Sequence, residues 1–236
     1  MPDKKIRLLS TRPVGAELRE QAASSNILLE EKSFIYTEPI VDEKLKRQIQ
    51  DLATQKITAL FTSMNAVETV GKVAPTKLWR IGSIGHATKK LVVKYFGEQS
   101  IVATGDDAKD LGENLISSAS IEKVYFFCGN NRRDDLPLLL KSNGVAVHEL
   151  VVYKTIEKAE KIHDVYDGIL FFSPSAVSSF FENNTLSQKT TLFAIGNTTA
   201  RALKPFTSND VVIADKPGKK NLVNQAINYF TQQMKV

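Results

Sequence analysis

The sequence predicts an α/β protein of two similar, doubly wound parallel-sheet domains, and three observations carry that prediction. Short apolar runs alternate with helical patterns, an internal repeat recurs at an offset of 110 to 111 residues, and Ser, Thr, Asn or Gly stands wherever a strand gives way to a helix. Alternating strands and helices imply parallel strands joined by crossover helices. At 236 residues the chain can hold one large domain or two of about 100 to 120 residues, each with its own core. The repeat favours two.

The stretch 5–36, "KIRLLSTRPVGAELREQAASSNILLEEKSFIY", predicts a strand, a helix with Pro13 near its first turn, and a second strand ending at Tyr36. The stretch 122–153, from "EKVYFFCGN" to "VAVHELVVY", has the same plan and ends at Tyr153. Its helix places Leu136, Leu139 and Leu140 at core-facing spacing and stops at Asn143 and Gly144.

The repeat fills the remainder. "FTSMNAVETV" (61–70) lies on "FFSPSAVSSF" (171–180) at an offset of 110, pairing Ser63 with Ser173. "IGHATKKL" (84–91) lies on "IGNTTARAL" (195–203) at 111, pairing Gly85 with Gly196, Thr88 with Thr199 and Lys90 with Arg201. "IVATGDDAKDLGENLI" (101–116) lies on "VIADKPGKKNLVNQAI" (212–227), again at 111. Three blocks in register indicate duplication, each copy running strand, turn, helix, strand, turn, helix. A tandem pair of domains would be cut near 118–121. Residues 36–39 and 153–157 are extended and could instead be linkers lying side by side, which leaves tandem and interleaved arrangements both open.

Composition narrows the function. The single Cys128 forms no internal disulfide, and His86, His148 and His163 are too scattered for a metal site, so neither a metal nor a cofactor is expected. The formal charge of +5 suits an anionic partner, but no basic run is interleaved with aromatics, so a small acidic ligand is expected rather than nucleic acid. The first apolar run is too short for a signal-peptide core and no run approaches a membrane span, so the expectation is a cytoplasmic protein that meets no membrane. Without an exposed apolar repeat it is expected to be a monomer. There is no GxGxxG after the first strand, no Walker motif, no GxSxG and no HExxH, which argues against dinucleotide, nucleotide-hydrolysing, serine-hydrolase and zinc chemistry.

What remains is a set of strand-to-helix turns. Unpaired N–H groups and the positive end of the dipole make a helix start an anion site, and Gly85, Gly129 and Gly196 let a ligand approach the backbone. In open α/β sheets ligands gather beyond the carboxyl ends of the strands. Ser63, Ser173, Thr198 and Thr199 are candidates for ligand contact, although each residue type also serves as an ordinary helix cap. Arg12, and Arg132 with Arg133 in what the pattern makes a first turn, are misplaced for a helix dipole and therefore suggest an anion. Tyr153 fits a plain strand aromatic, Cys128 a small buried residue, and Lys216, Lys219 and Lys220 a solvated loop.

Taken in order, "LLSTRP", "FTSMNAVE", "IGHATKKL", "FFCGNNRRDDLP", "VVYKT", "FFSPSAV" and "IGNTTARAL" resemble the uroporphyrinogen-III synthase family over nearly the whole chain. Met64 stands where the first strand-turn motif often has Pro, which Pro174 keeps in the second. The resemblance implies two α/β domains joined by a two-stranded linker with a cleft between them: 1–36 plus 155–236 as one domain and 40–150 as the other, with linkers near 36–40 and 151–157. It implies conversion of hydroxymethylbilane, a linear tetrapyrrole with eight carboxylates, to uroporphyrinogen III, with loss of water and inversion of ring D through a spiro intermediate. It gives Tyr153 the catalytic role, as proton donor to the departing hydroxyl directly or through a water. Ser63, Asn65, Ser173, Ser175, Thr198 and Thr199 would bind carboxylates, with Gly85, Gly129 and Gly196 admitting them to the backbone and Arg12 and Arg133 as charge partners. It also suggests a transient hand-over from the preceding enzyme of tetrapyrrole biosynthesis. The rival is a non-catalytic two-domain binding or sensor protein that closes on a small polycarboxylate.

Overall fold

The structure is a computed structural model that describes residues 5–40, 42–118, 121–216 and 218–233. Ala119 and Ser120, at the tandem cut point, and Pro217 of the Lys-rich loop lie outside the described residues. In chain order the elements are β1 (Ile6–Ser10), α1 (Ala16–Ser24), β2 (Ile27–Glu31), β3 (Ile35–Pro39), α2 (Glu43–Ala53), β4 (Thr58–Phe61), α3 (Met64–Val73), β5 (Arg80–Ile84), α4 (His86–Phe96), β6 (Ile101–Gly105), α5 (Ala108–Ser118) and β7 (Lys123–Gly129). They continue with α6 (Asp135–Ser142), β8 (Ala146–Glu157), β9 (Gly168–Phe171), α7 (Pro174–Asn183), β10 (Thr191–Ala194), α8 (Asn197–Leu203), β11 (Val211–Ile213) and α9 (Lys219–Gln233).

The strands form two sheets, ordered β11-β10-β9-β1-β2 and β3-β8-β7-β4-β5-β6. The chain divides into two compact units, one made of the residues up to Tyr36 with those from Ile156 onward, the other of Thr37–Thr155. The chain passes from one unit to the other within β3 and again within β8.

The repeat explains why the sheets look alike. If β9, β10 and β11 are the counterparts of β4, β5 and β6, and β1 and β2 those of β7 and β8, then β2-β1-β9-β10-β11 and β8-β7-β4-β5-β6 are one strand order. In the first unit the βαβ part precedes the repeated block in the chain; in the second it follows. Each sheet changes winding direction at one place, between β1 and β9 or between β7 and β4, and such a switch point is where the ends of neighbouring strands splay and leave room for a ligand.

Burial follows the period-two alternation of strands. Leu8 and Leu170 face α1 and α9, in a core with Leu18, Leu222 and Phe230. Their neighbours Leu9, Ile169 and Phe171 face α7 and α8 with Val177, Phe180 and Leu203. In the other unit, Ala59, Phe61 and Phe127 pack with α2, α3 and α4, and Leu60, Phe126 and Cys128 pack with α5 and α6. Trp79 is stacked on Phe96 and Phe127, and its indole N–H donates to the Leu52 carbonyl at 2.9 Å.

Four local expectations change. The run 27–36 is two strands in different sheets, because β2 pairs with β1 while β3 joins β8, and the fully buried Phe34 between them packs edge-on against Phe180. Pro13 lies outside α1, whose N-cap is Gly15 at φ 102°. Arg132 and Arg133 precede α6, whose first turn carries Asp135. Lys219 and Lys220 are the first residues of α9, and Lys220 pairs with Glu17 at 3.0 Å.

Candidate active site

At the switch point of the six-stranded sheet, β4 ends at Phe61 and β7 at Gly129. Ser63 follows β4 in extended conformation, and its hydroxyl accepts the Asn65 N–H at 3.2 Å, which caps α3. At β7 the ladder to β8 slips by one residue, so that Gly129 faces Tyr153. The slip is held by the Asn130 N–H to the Tyr153 carbonyl at 3.2 Å and by the Thr155 N–H to Asn130 Oδ1 at 2.8 Å.

Gly129 is needed here for space. A Cβ at this position would lie 2.5 Å from Cζ and 2.8 Å from the hydroxyl oxygen of Tyr153. The Tyr153 ring therefore occupies the volume a side chain would have taken. Gly85 is needed for conformation: it caps α4 at φ 70°, which disfavours any residue with a Cβ.

Tyr153 lines a cavity of about 390 Å³ built from residues of this one unit. Asn65, Glu68, Thr69 and Lys72 line it too, and their spacing of i, i+3, i+4 and i+7 is one stripe along α3. Thr37 and Pro39 of β3 also line it. Thr69 is 5% exposed. Glu68 and Lys72 pair at 2.7 Å, which holds the carboxyl below and the ammonium above their ordinary values. Both side chains are exposed, so the pair contributes little to stability and opens readily. Sequence reasoning missed Glu68, Thr69 and Lys72, although the stripe they form was available as a signal.

Gly85 opens on a different cavity of about 260 Å³ with Lys89, Thr104, Asp106 and Asp110. Arg133 is exposed and makes no ion pair among the described residues, whereas Arg132 is held by Asp134 and Glu149. Burial pushes the Cys128 thiol up to about 11, against a smaller opposing pull from Arg132.

The five-stranded sheet presents the corresponding turns. Ser173 caps α7, accepting the Ala176 N–H at 3.2 Å, and Ser175 is half-buried in the same turn. At the end of β1 the Val14 and Gly15 N–H groups are already taken by Glu31 Oε1, at 3.0 and 3.1 Å. That turn carries its own carboxylate, and Arg12 beside it is exposed, with its guanidinium 5.7 Å from the Phe172 ring centre. After β10, Gly196 is the N-cap of α8 in extended conformation, so Thr198 and Thr199 sit inside the first turn and are not caps. Thr198 is half-buried, and Thr199 is 3% exposed.

Among the described residues no group of three or more His, Cys, Asp or Glu could hold a metal ion, and no helix is long and apolar enough to cross a membrane. What the turns offer is hydroxyls, amides, N–H groups and one phenol, a set suited to binding carboxylates and delivering a proton.

Solved structures share this fold. Uroporphyrinogen-III synthetase of Helicobacter pylori superposes with a TM-score of 0.68 at 16% identity, over 95% of this chain and 99% of that one. A mutant uroporphyrinogen III synthase of the extremely thermophilic bacterium Thermus thermophilus gives 0.64 at 16% identity, over 97% and 99%. Likeness at this identity speaks for the fold. The profile of the family described as Uroporphyrinogen-III synthase HemD matches residues 20–224. Matched over most of its length, the chain belongs to the uroporphyrinogen-III synthase family.

Proposed function

We propose that the protein closes hydroxymethylbilane to uroporphyrinogen III with Tyr153 as the proton donor. The observation that carries this is the phenol of Tyr153, seated against Gly129 in a cavity whose other wall is the polar stripe of α3. The phenol gives its proton to the departing hydroxyl, which leaves as water, and the pyrrole nitrogens push electrons to form an azafulvene. Ring D attacks through its substituted carbon, the spiro-pyrrolenine fragments and recloses, and loss of a proton from the final ring restores the phenol. The protein's contribution is to hold a flexible chain so that this route beats direct closure to the type I isomer.

Carboxylates of the substrate take the turns that carry Ser63 and Asn65 and those that carry Ser173, Ser175, Thr198 and Thr199, with Gly85 and Gly196 giving access to backbone N–H groups. Arg12 and Arg133 balance charge. Lys72 is a further partner, exchanging Glu68 for a substrate carboxylate when the cavity fills. On this proposal the protein works in the cytoplasm as a monomer and receives its unstable substrate from the enzyme that makes it.

The test generates hydroxymethylbilane in situ, adds the protein, oxidises the products and separates type I from type III uroporphyrin. Predominant type III is expected. Type I alone from folded protein would reject the enzyme and leave a polycarboxylate-binding protein.

A further inference from the structure

Strands β7, β4 and β5 lie side by side, with Thr58 level with Arg80 and Ala59 level with Tyr125. Their amino ends therefore emerge together, at the end of the sheet opposite Ser63, Gly85 and Gly129. Three cations meet there: Lys56 just before β4, and Arg80 and Lys123 as the first residues of its two neighbours. Adjacent strands are about 4.8 Å apart, so the Arg80 and Lys123 backbones stand roughly 10 Å apart with Lys56 between them.

These three side chains line one cavity of about 380 Å³ together with Thr58 and Tyr125, and among the described residues no carboxylate lines it. None of the three forms an ion pair among the described residues, whereas Lys72, Lys141 and Lys220 on the same protein each hold a carboxylate. Gathering like charges around a concavity is unfavourable unless something negative occupies it. Two features give the site shape. The Lys123 ammonium sits 5.0 Å from the Tyr125 ring centre, and that ring is stacked on His148 at 5.4 Å, which steadies a flexible side chain at the cavity edge. Arg80 is tied at its base by its own N–H to the Ile57 carbonyl at 2.9 Å, and its planar fork suits the paired oxygens of a phosphate or carboxylate.

We propose that this cavity is a second anion site, separate from the Tyr153 cavity, for a small ligand with two or more anionic oxygen groups spaced to bridge Arg80 and Lys123. Phosphate and carboxylate ligands share that chemistry. The two sites lie at opposite ends of the same parallel strands, so the proposal stands or falls independently of the tetrapyrrole chemistry.

The test titrates pyrophosphate and, separately, citrate into the full chain at constant ionic strength, following the thermal midpoint and the amide NMR signals. A saturable rise in midpoint is expected from at least one of them, with signals of Thr58, Arg80 and Lys123 moving and the rise absent in the Lys56→Gln, Arg80→Gln, Lys123→Gln triple variant. Which of the two ligands acts tells a phosphate site from a carboxylate site. All three positions are exposed, so the variant should keep its fold, and its own midpoint and amide spectrum check that. No response to either ligand overturns the proposal, as does a response that persists in the triple variant or maps instead to Ser63 and Gly129.

Discussion

Replacing Gly129 with Ala tests whether the position of Tyr153 matters more than its presence. The new methyl carbon would lie 2.5 Å from Cζ, 2.6 Å from Cε2 and 2.8 Å from the hydroxyl oxygen of Tyr153. Carbon atoms rest at about 3.5–4 Å, so the ring has to withdraw by about 1 Å. Because the ring is half-buried and borders a cavity, it has somewhere to go. The stability cost should therefore fall at the low end of overpacking, about 1 kcal/mol, equivalent to a fall in Tm of about 2–4 °C for a chain of this size. A misplacement of about 1 Å at a reacting group can cost on the order of 10²-fold in rate. In the coupled assay the variant should form type III product about a hundredfold more slowly, and type I should accumulate by uncatalysed closure. A folded Gly129→Ala protein with the wild-type rate and isomer ratio would refute the link between this contact and catalysis.

Tyr153→Phe should lower turnover while leaving Tm near that of the wild type, since the ring and its packing remain; unchanged turnover would remove the phenol from the mechanism. Lys72→Met should raise KM by about tenfold, the loss of a charge-assisted hydrogen bond of about 1.5 kcal/mol, with kcat little changed; an unaltered KM would show that no substrate carboxylate reaches it. Ser83 is fully buried and its hydroxyl has no hydrogen-bond partner among the described residues, so Ser83→Ala should stabilise the protein by about 1 kcal/mol in urea denaturation. Cys128 has a folded pKa of about 11 against an ordinary 9.0, so the folded state holds its proton more firmly. Its contribution is present below pH 9 and is lost as pH rises from 9 to 11, and in Cys128→Ala that part of the alkaline loss in denaturant midpoint should vanish.

The repeat made the α/β alternation legible, because two copies of one pattern support each other where either alone is ambiguous. Cap serines and the glycine at φ 70° were also legible, since a turn states its backbone needs in its residue types. The break at Lys32 to Phe34 was not, because 27–36 holds no Gly or Pro to mark a turn and only the choice of partner strand divides it. The chemistry of α3 was hidden for a different reason: Glu68 and Lys72 at i, i+4 look like any solvated ion pair until β3 and β8 supply the facing wall. Lys56, Arg80 and Lys123 are far apart in the chain, and only sheet register brings them together.

The permuted order of the two sheets has a consequence for the chain as it is being made. The second unit is built from one unbroken segment, Thr37–Thr155, and can finish folding as soon as that segment is complete. The first cannot. Its inner strand β1 has β2 beside it early, but the other neighbour, β9, pairs Leu8 with Gly168, and at about 5–20 residues per second the wait is roughly 8–30 s. During that interval the unpaired edge of β1 is open to wrong partners. The unit that contains Tyr153 is thus in place before the unit that holds both chain ends, and a fragment ending near Thr155 should show a folded second unit beside an unfinished first.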